Sequence, residues 1–283
     1  MTSTWVAVLS SPAAGTDPTT VAGLDGLAGS LSVPQLVVAL IAGLGAGFVV
    51  SAVGAGSLVS FPLLLSIGLA PVAANVTNTV GLVPGGVSGS LGFRRELAGL
   101  RSLVVAVAAT SAAGALAGAI FLLLAPSTYF DVAVPWLILF ASTLVGVQPL
   151  ISRWLRSRGA PDHPLDAMPA PLRMLSAVIG GYGGYFGAGQ GVMLVGFLAI
   201  GLRQPLTVVN GLKNVAVLAA NVAGAAVFAV FGPVDWVVAA LVAAGSLLGG
   251  WAGAHVGRRL PGPVFRALVV VMGYAVGLTL LVG

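Results

Sequence analysis

The sequence predicts an all-α integral membrane protein made of two inverted repeats, each with about five membrane segments and one short, broken helix. An apolar composition and a segment that occurs twice predict this fold. Of the 283 residues, 58% are hydrophobic and 7% are charged, and the mean hydropathy is +1.08. Soluble domains carry about 25% charged residues. This chain therefore has too little polar surface for a water-exposed fold.

The repeated segment begins at a glycine turn, Gly54–Gly56, and again at Gly187–Gly189. In each copy an apolar run, a proline, an asparagine, a glycine and a phenylalanine follow in the same order. The turns are 133 positions apart (187 − 54), and Asn75 and Asn210 are 135 apart (210 − 75), so a two-residue gap aligns the copies. Paired, glycine-interrupted apolar units are typical of membrane transporters, whose substrate site lies between the repeats.

Ten apolar stretches follow a polar N-terminal tail. Two of them, 57–69 and 190–202, have only 13 residues each. At 1.5 Å per residue they fall short of the roughly 30 Å hydrocarbon core of a bilayer. They occupy the same place in each repeat, so we interpret them as halves of broken helices. The predicted helical segments are 34–53, 57–69, 74–93, 101–124, 129–150, 172–187, 190–202, 207–231, 234–256 and 262–282.

The arginines distinguish two topologies. If both short segments cross the membrane and the tail is outside, all eleven arginines lie on one side and Lys213 alone stays within an apolar stretch. If both segments dip and return and the tail is inside, the four arginines from Arg203 onward move to the outer face, against the positive-inside tendency. We therefore prefer ten crossings to eight crossings with two re-entrant segments. Five crossings per repeat is an odd number, so the repeats are inverted.

The predicted topology divides the chain into an extracytoplasmic tail and two membrane repeats joined by a loop. The tail lacks the basic start and long apolar core of a signal peptide. The chain has no cysteine, which excludes disulfides and thiolate chemistry. The net charge of +5 comes from arginines scattered in short loops, so we predict no nucleic-acid partner. The predicted units are the tail at 1–33, repeat 1 at 34–151, a cytoplasmic linker loop at 152–171 and repeat 2 at 172–283.

Lys213 carries the strongest functional signal, because a cation in the bilayer core costs about 2.5–3.5 kcal/mol on insertion scales. The acidic residues all map either to the outer side or to the inner loops, away from Lys213. A deep cation without a carboxylate suits an anion site. The alternative is that Lys213 snorkels to an interface or binds helix carbonyls.

Amide and hydroxyl side chains surround Lys213 in repeat 2 and recur at the corresponding positions of repeat 1. They could replace the hydration shell of an anion, or they could join helices by hydrogen bonds. The glycine turns add the positive dipole ends of the short helices. We predict a substrate-binding set of Gly54, Gly56, Ser57, Asn75, Thr77, Asn78, Gly187, Gly189, Gln190, Asn210, Lys213 and Asn214.

We expect no catalytic residue, no metal site and no cofactor, and hence no enzyme. The two histidines, His163 and His255, cannot form a metal cluster. Ser88 lies in GGVSGS, which lacks the second glycine of a nucleophile elbow. No Walker or dinucleotide-binding motif follows a strand pattern.

The two copies share one pattern of motifs. It consists of a Gly-x-Gly turn, a short apolar segment ending in Gly-Leu-x-Pro in one copy and Gly-Leu-x-x-Pro in the other, and a polar helix with AANVTN in one copy and NGLKN in the other. This pattern resembles the TauE/SafE sulfite exporter family over roughly 34–282, most strongly at 54–94 and 187–231. The first turn departs from the more glycine-rich family form at Ala55 and Ser57.

The resemblance implies a multi-pass plasma-membrane permease for small anions. The matching positions are Gly54–Gly56, Gly187–Gly189, Thr77 with Asn78, and Lys213 with Asn214. We expect a secondary transporter or exporter of sulfite or of an organosulfonate such as sulfoacetate; a passive anion channel with the same basic cavity is the alternative. The expected partners are the small anionic substrate and the lipid bilayer, and a homo-oligomer is left open.

Overall fold

The computed structural model describes residues 31–157, 165–255 and 262–282, and these ranges contain helices and connecting turns without a β-strand. The all-α class is therefore confirmed for this part of the chain, and each predicted apolar stretch forms a helix. Most of the predicted tail at 1–33 and the middle of the predicted loop at 152–171 lie outside the described residues. The helices are α1 (Val33–Ala52), α2 (Ser57–Ser66), α3 (Pro71–Leu91), α4 (Arg101–Leu124), α5 (Ser127–Ser157), α6 (Ala170–Tyr185), α7 (Gln190–Leu202), α8 (Leu206–Phe231), α9 (Trp236–His255) and α10 (Gly262–Val282).

Prolines set several helix starts. Pro34, Pro71 and Pro171 occupy the first or second position of α1, α3 and α6, where the missing N–H costs no helical hydrogen bond. Helix α3 therefore begins at Pro71 rather than at the predicted position 74. Helix α5 runs on to Ser157, six residues into the predicted loop at 152–171, because no glycine or proline that would end it occurs between Pro149 and Gly159.

Helices α1 and α2 form the first of two hairpins, which we call hairpin 1. Its turn contains Gly54 with φ +89°, a conformation that glycine adopts without strain. The Gln35 side chain near the start of α1 donates Nε2–H to the carbonyl of Ile67, just after α2, at 3.0 Å. The short helix α2 therefore carries the chain back to the level at which α1 began.

Helices α6 and α7 form hairpin 2 in the same manner. Its turn contains Gly187 and Gly189 with φ +80° and +77°. The N–H of Leu165, which precedes α6, donates to the carbonyl of Leu202 at the end of α7 at 3.0 Å. The two short helices thus have equivalent roles in the two halves of the sequence.

Small residues let the long helices approach closely. A Cβ added to Gly43 would lie 2.3 Å from the Val242 carbonyl oxygen, and one added to Gly114 would lie 1.8 Å from that of Ala177. These contacts join α1 to α9 and α4 to α6, and in both pairs the helices run parallel. Such close backbone approach is the main use of glycine in membrane helix packing.

Several helices pack against helices from the other half of the sequence. Helix α9 packs on α1 and α3, and α4 packs on α6 and α8. Helices α3 and α8 run antiparallel, since Gly86 faces Leu218 whereas Gly224, farther along α8, faces Thr79. Helices α5 and α10 also pack together. The two halves are interleaved rather than side by side.

Five helices in the described part of the chain are long and apolar enough to span a membrane. The short helices α2 and α7, with 10 and 13 residues, extend only about 15–20 Å at 1.5 Å per residue. The five candidate spans are Val33–Ser51, Arg101–Leu124, Ser127–Trp154, Leu206–Phe231 and Trp236–His255.

Candidate functional site

The tips of the two hairpins touch at Gly54 and Gly191. The N–H of Gly191 donates to the carbonyl oxygen of Gly54 at 3.1 Å. A Cβ added to Gly191 would lie 2.7 Å from the Gly54 Cα, and one added to Gly54 would lie 2.9 Å from the Gly191 Cα. The backbones can approach this closely only because both residues are glycine. This approach brings the N-terminal ends of α2 and α7 to one place, the junction of the hairpin tips.

The first-turn N–H groups at this junction are used within the turns. Those of Leu58 and Val59 donate to the carbonyls of Ala55 and Gly56, at 3.2 and 2.9 Å. In α7 the N–H of Val192 donates to the Gly189 carbonyl at 3.0 Å. The turns therefore contribute mainly the positive ends of two helix dipoles.

Lys213 lies beside the junction and is fully buried. Its Nζ donates to the carbonyl oxygens of Val50 and Ser51 at 3.4 and 3.3 Å, and its stem passes close to Gly54. These carbonyls belong to the last turn of α1, the negative end of that helix dipole. Lys213 therefore does not snorkel to an exposed surface. It binds helix carbonyls, which is the other alternative to an anion site.

Asn75 makes the corresponding contact in the other direction. It is buried on α3, and its Nδ2–H donates to the carbonyl of Tyr185 at the end of α6 at 2.9 Å. Lys213 of α8 therefore holds the end of α1, and Asn75 of α3 holds the end of α6. Each hairpin is bound at its tip by a polar side chain from the other half of the sequence.

Asn78 connects α3 to the first turn of α2. Its Nδ2–H donates to Ser57 Oγ at 3.1 Å, and its Oδ1 accepts a short hydrogen bond from Ser60. Asn78 and Ser60 are buried. This group of one amide and two hydroxyls lies at the start of hairpin 1's short helix, where the sequence predicts part of the site.

Gln190 and Asn214 are buried with unused hydrogen-bonding capacity. Gln190 is 1% exposed and packs on Gly183. Neither its Oε1 nor its Nε2 has a hydrogen-bond partner among the residues described, and the same holds for Asn214 Nδ2. Buried amides are normally hydrogen-bonded, so these atoms are available to a ligand.

Two predicted site residues face elsewhere. Thr77 Oγ1 accepts the N–H of Asp235 at 3.0 Å and thereby holds the start of α9. Asn210 is half-buried and donates to the carbonyl of Leu206 in its own helix at 2.8 Å. Thr77 and Asn78 are adjacent in α3, so their side chains diverge by about 100° and cannot both point at one site.

The predicted site set leaves out Gln148, Ser60 and Tyr182. Gln148 on α5 is buried and donates to the carbonyl of Val53 at the tip of hairpin 1 at 3.2 Å. The Tyr182 hydroxyl donates to the carbonyl of Ala188 at 2.6 Å and thereby braces the tip of hairpin 2. The available signal for Gln148 was a single amide inside an apolar run.

The site offers amides, hydroxyls and one ammonium rather than metal ligands. Within 31–157, 165–255 and 262–282, no group of three or more His, Asp or Glu side chains could hold a metal ion. Both hydrogen-bond partners of Lys213 are carbonyl oxygens. The arrangement is suited to binding and moving a small solute.

Apolar helices of spanning length, two short helices that meet tip to tip, and a buried polar junction define an integral membrane protein of the transporter class. The chain belongs to the sulfite exporter TauE/SafE family, whose sequence profile matches residues 39–280. The match covers both hairpins except the first six residues of α1.

Curated relatives carry transporter names. The chain is 28% identical to "Probable membrane transporter protein ORF9" of Sinorhizobium sp, over 83% of this chain and 88% of that protein. It is 27% identical to "Probable membrane transporter protein" of Haemophilus influenzae, over 86% and 93%. It is 23% identical to "Probable membrane transporter protein YfcA" of Escherichia coli K12, over 83% and 86%. No solved structure matches the chain.

Proposed function

We propose that this chain is a secondary transporter that exports a small anion, either sulfite or an organosulfonate such as sulfoacetate. The observation that carries the proposal is the junction of Gly54 and Gly191 beside the buried Lys213. Two helix N-termini converge there, and each contributes about half a positive charge. With the ammonium of Lys213 nearby, the junction attracts an anion.

Lys213 and the unused amides supply specific donors for that anion. The Nζ contacts to Val50 and Ser51, at 3.4 and 3.3 Å, are at the long end of the hydrogen-bond range. An arriving anion can compete with neutral carbonyls for the ammonium, because charge-assisted bonds are roughly twice as strong as neutral ones. Gln190 and Asn214 add N–H groups that have no other described partner.

The inverted-repeat architecture belongs to the same proposal. The contacts of the first half of the sequence recur in the second half when α1 is matched with α6, α3 with α8 and α4 with α9. Under this matching the α1–α9 contact corresponds to the α6–α4 contact. Likewise, the α3–α9 contact corresponds to the α8–α4 contact. Helices α1, α3 and α9 run parallel to each other and antiparallel to α4, α6 and α8. These relationships support two repeats that enter the membrane from opposite faces.

The same directions bear on the number of crossings. Since α2 returns to the level where α1 began, α3 starts at that end as well. Helices α1 and α3 therefore run in the same direction, as in the ten-segment topology, whereas they would run in opposite directions in the eight-crossing alternative. Arg101 and Arg173 line one cavity, and Arg94 and Arg95 line another with the end of α9, which supports placing these arginines on one face, the cytoplasmic side of the plasma membrane.

Burial of the junction supports a carrier over a passive channel. Lys213 is 0% exposed, and Asn75, Asn78 and Gln190 are each 1% exposed. A channel needs a continuous path with weak, multi-site binding, whereas a closed site between two hairpins suits alternating access. Movement of one hairpin against the other opens the junction to one side at a time, driven by the membrane potential or an ion gradient.

The test is transport by the purified chain in liposomes. We expect saturable uptake of radiolabelled sulfite or sulfoacetate compared with empty liposomes. External substrate should accelerate efflux of labelled internal substrate, since a carrier exchanges them through one site. Linear, unsaturable flux would favour the channel. Absence of flux for every small anion offered would overturn the proposal.

A further inference from the structure

A cavity of about 680 Å³ lies between the ends of α3 and α9, away from the junction of the hairpin tips. Arg94, Arg95 and Glu96 form its polar wall, just after α3, and His255 closes it at the end of α9. The remaining walls are mostly apolar. They consist of Ser88, Leu91, Gly92, Trp251 and Ala254.

The apolar side of the cavity continues along both helices. Leu91 and Trp251 are 58% and 59% exposed. One turn before them, Val87 on α3 and Leu248 on α9 are also exposed. Ser88 Oγ donates to the Leu247 carbonyl at 3.1 Å and fixes α3 to α9 at this point. A groove with apolar walls thus leads away from a basic rim.

We propose that this cavity binds the headgroup of an anionic phospholipid, with the acyl chains along the exposed faces of α3 and α9. The phosphate lies against Arg94 and Arg95, whose guanidinium groups match phosphate oxygens. Trp251 is exposed at the end of a membrane helix, where indole rings anchor at the headgroup level. The site is independent of the proposed transport site.

The combination of charges and apolar surface selects a lipid rather than a soluble anion. Two arginines outweigh the Glu96 carboxylate on the same wall, so the rim favours a negative group. Free phosphate would use that rim and leave Leu91 and Trp251 uncovered. A phospholipid covers both surfaces, and basic pockets between membrane helices on the cytoplasmic side are known to take such headgroups.

The experiment measures thermal stabilisation of the full chain in neutral detergent. The additives are phosphatidylglycerol, phosphatidylcholine and, as the soluble arm, glycerol phosphate. We expect phosphatidylglycerol to raise the melting temperature more than the other two. In Arg94→Gln/Arg95→Gln the phosphatidylglycerol concentration needed for half the effect should rise about tenfold or more, since each basic residue contributes roughly fivefold.

The matched control is Arg153→Gln. Arg153 is also exposed and also adjoins an exposed tryptophan, Trp154, but it does not line this cavity. Its response to phosphatidylglycerol should equal that of the parental chain. An equal response to all three additives, or an unchanged response in the double variant, would overturn the proposal. Stabilisation by glycerol phosphate as strong as by the lipid would identify a soluble anion as the ligand instead.

A second measurement does not depend on the folding of the double variant. Brominated phosphatidylglycerol should quench a larger share of the fluorescence than brominated phosphatidylcholine in the parental chain. That difference should disappear in Trp251→Phe and persist in Trp154→Phe. If it persists in Trp251→Phe, the lipid binds elsewhere and the assignment is wrong.

Discussion

Gly191 and Gly54 are joined by a main-chain hydrogen bond of 3.1 Å that links the tip of hairpin 2 to the tip of hairpin 1. The bond forms only because neither residue carries a Cβ. Lys213 and Asn75 then hold the ends of α1 and α6 on either side of it. This contact between the two hairpins therefore lies beside two residues of the predicted site, Lys213 and Asn75.

Gly191→Ala should separate the hairpin tips. The added methyl would lie 2.7 Å from the Gly54 Cα, so the tips must move apart, at a cost of about 1–3 kcal/mol. We expect a lower melting temperature in detergent and reduced transport in liposomes. Gly196→Ala in the same helix is the control, because its Cβ would meet Ile151 at an ordinary 3.9 Å. An unchanged melting temperature for Gly191→Ala would show that the contact is dispensable.

Lys213→Gln should abolish most transport while the chain still folds and inserts. The substitution removes the ammonium that draws the anion but also removes a costly buried charge. Glutamine can keep one hydrogen bond to the end of α1. Lys213→Arg should restore transport only in part, because guanidinium keeps the charge and changes its reach and geometry.

Initial rates of anion uptake at several substrate concentrations test this prediction. Arg153→Gln, which removes an exposed positive charge, serves as the control and should transport at the parental rate. If Lys213→Gln transports with parental rate and affinity, the lysine only binds the carbonyls of Val50 and Ser51, and the anion site must lie at the turns alone.

The helices were predictable from the sequence because each apolar stretch is bounded by glycine, proline or charge. The site was predictable in part. Lys213, Asn78 and Gln190 belong to positions that recur in the sequence, whereas the positions 133–135 residues after Gln148 are apolar or glycine. Thr77 Oγ1 accepts the N–H of Asp235, a contact that sequence adjacency to Asn78 does not reveal, because adjacency does not show which helix face a side chain occupies. Contacts between the two hairpin tips depend on tertiary packing, which the pattern does not contain.

Asn78→Ala should raise the half-saturation concentration for the anion. Its effect on transport should be smaller than that of Lys213→Gln. It leaves Ser57 and Ser60 without their shared partner, and an unsatisfied buried group costs about 1–3 kcal/mol. Ser66→Ala is a suitable control, since that hydroxyl is exposed and bonds only within α2. Concentration-dependent uptake measures the effect. Parental half-saturation in Asn78→Ala would restrict the residue to helix packing.

Single cysteines should report the topology, since the chain has no cysteine of its own. We expect residues 97 and 159 to be labelled only from the cytoplasm and residue 20 only from outside; 20 and 159 lie outside the described residues. Membrane-impermeant maleimide on intact cells and on inverted vesicles makes the measurement. Outer labelling at position 257, also outside the described residues, would instead support eight crossings with two re-entrant segments.

Gln190→Met separates function from stability. The Gln190 side chain is buried, and neither amide atom has a partner in the described part of the chain. Burial of this amide therefore costs desolvation free energy that no described hydrogen bond offsets. Methionine has a similar shape and no strong polar group, so the variant should melt at the parental temperature or above it. Transport should nevertheless fall, because the anion loses a donor at the start of α7.

Melting in detergent and uptake in liposomes, measured on the same preparation, decide between the outcomes. Gln148→Met is the matched comparison. Gln148 is also a buried glutamine, but it donates to the Val53 carbonyl at 3.2 Å, so methionine there should lower the melting temperature. A Gln190→Met chain that melts several degrees below the parental chain would show that its amide is structurally satisfied, and full transport by a stable Gln190→Met chain would remove Gln190 from the anion site.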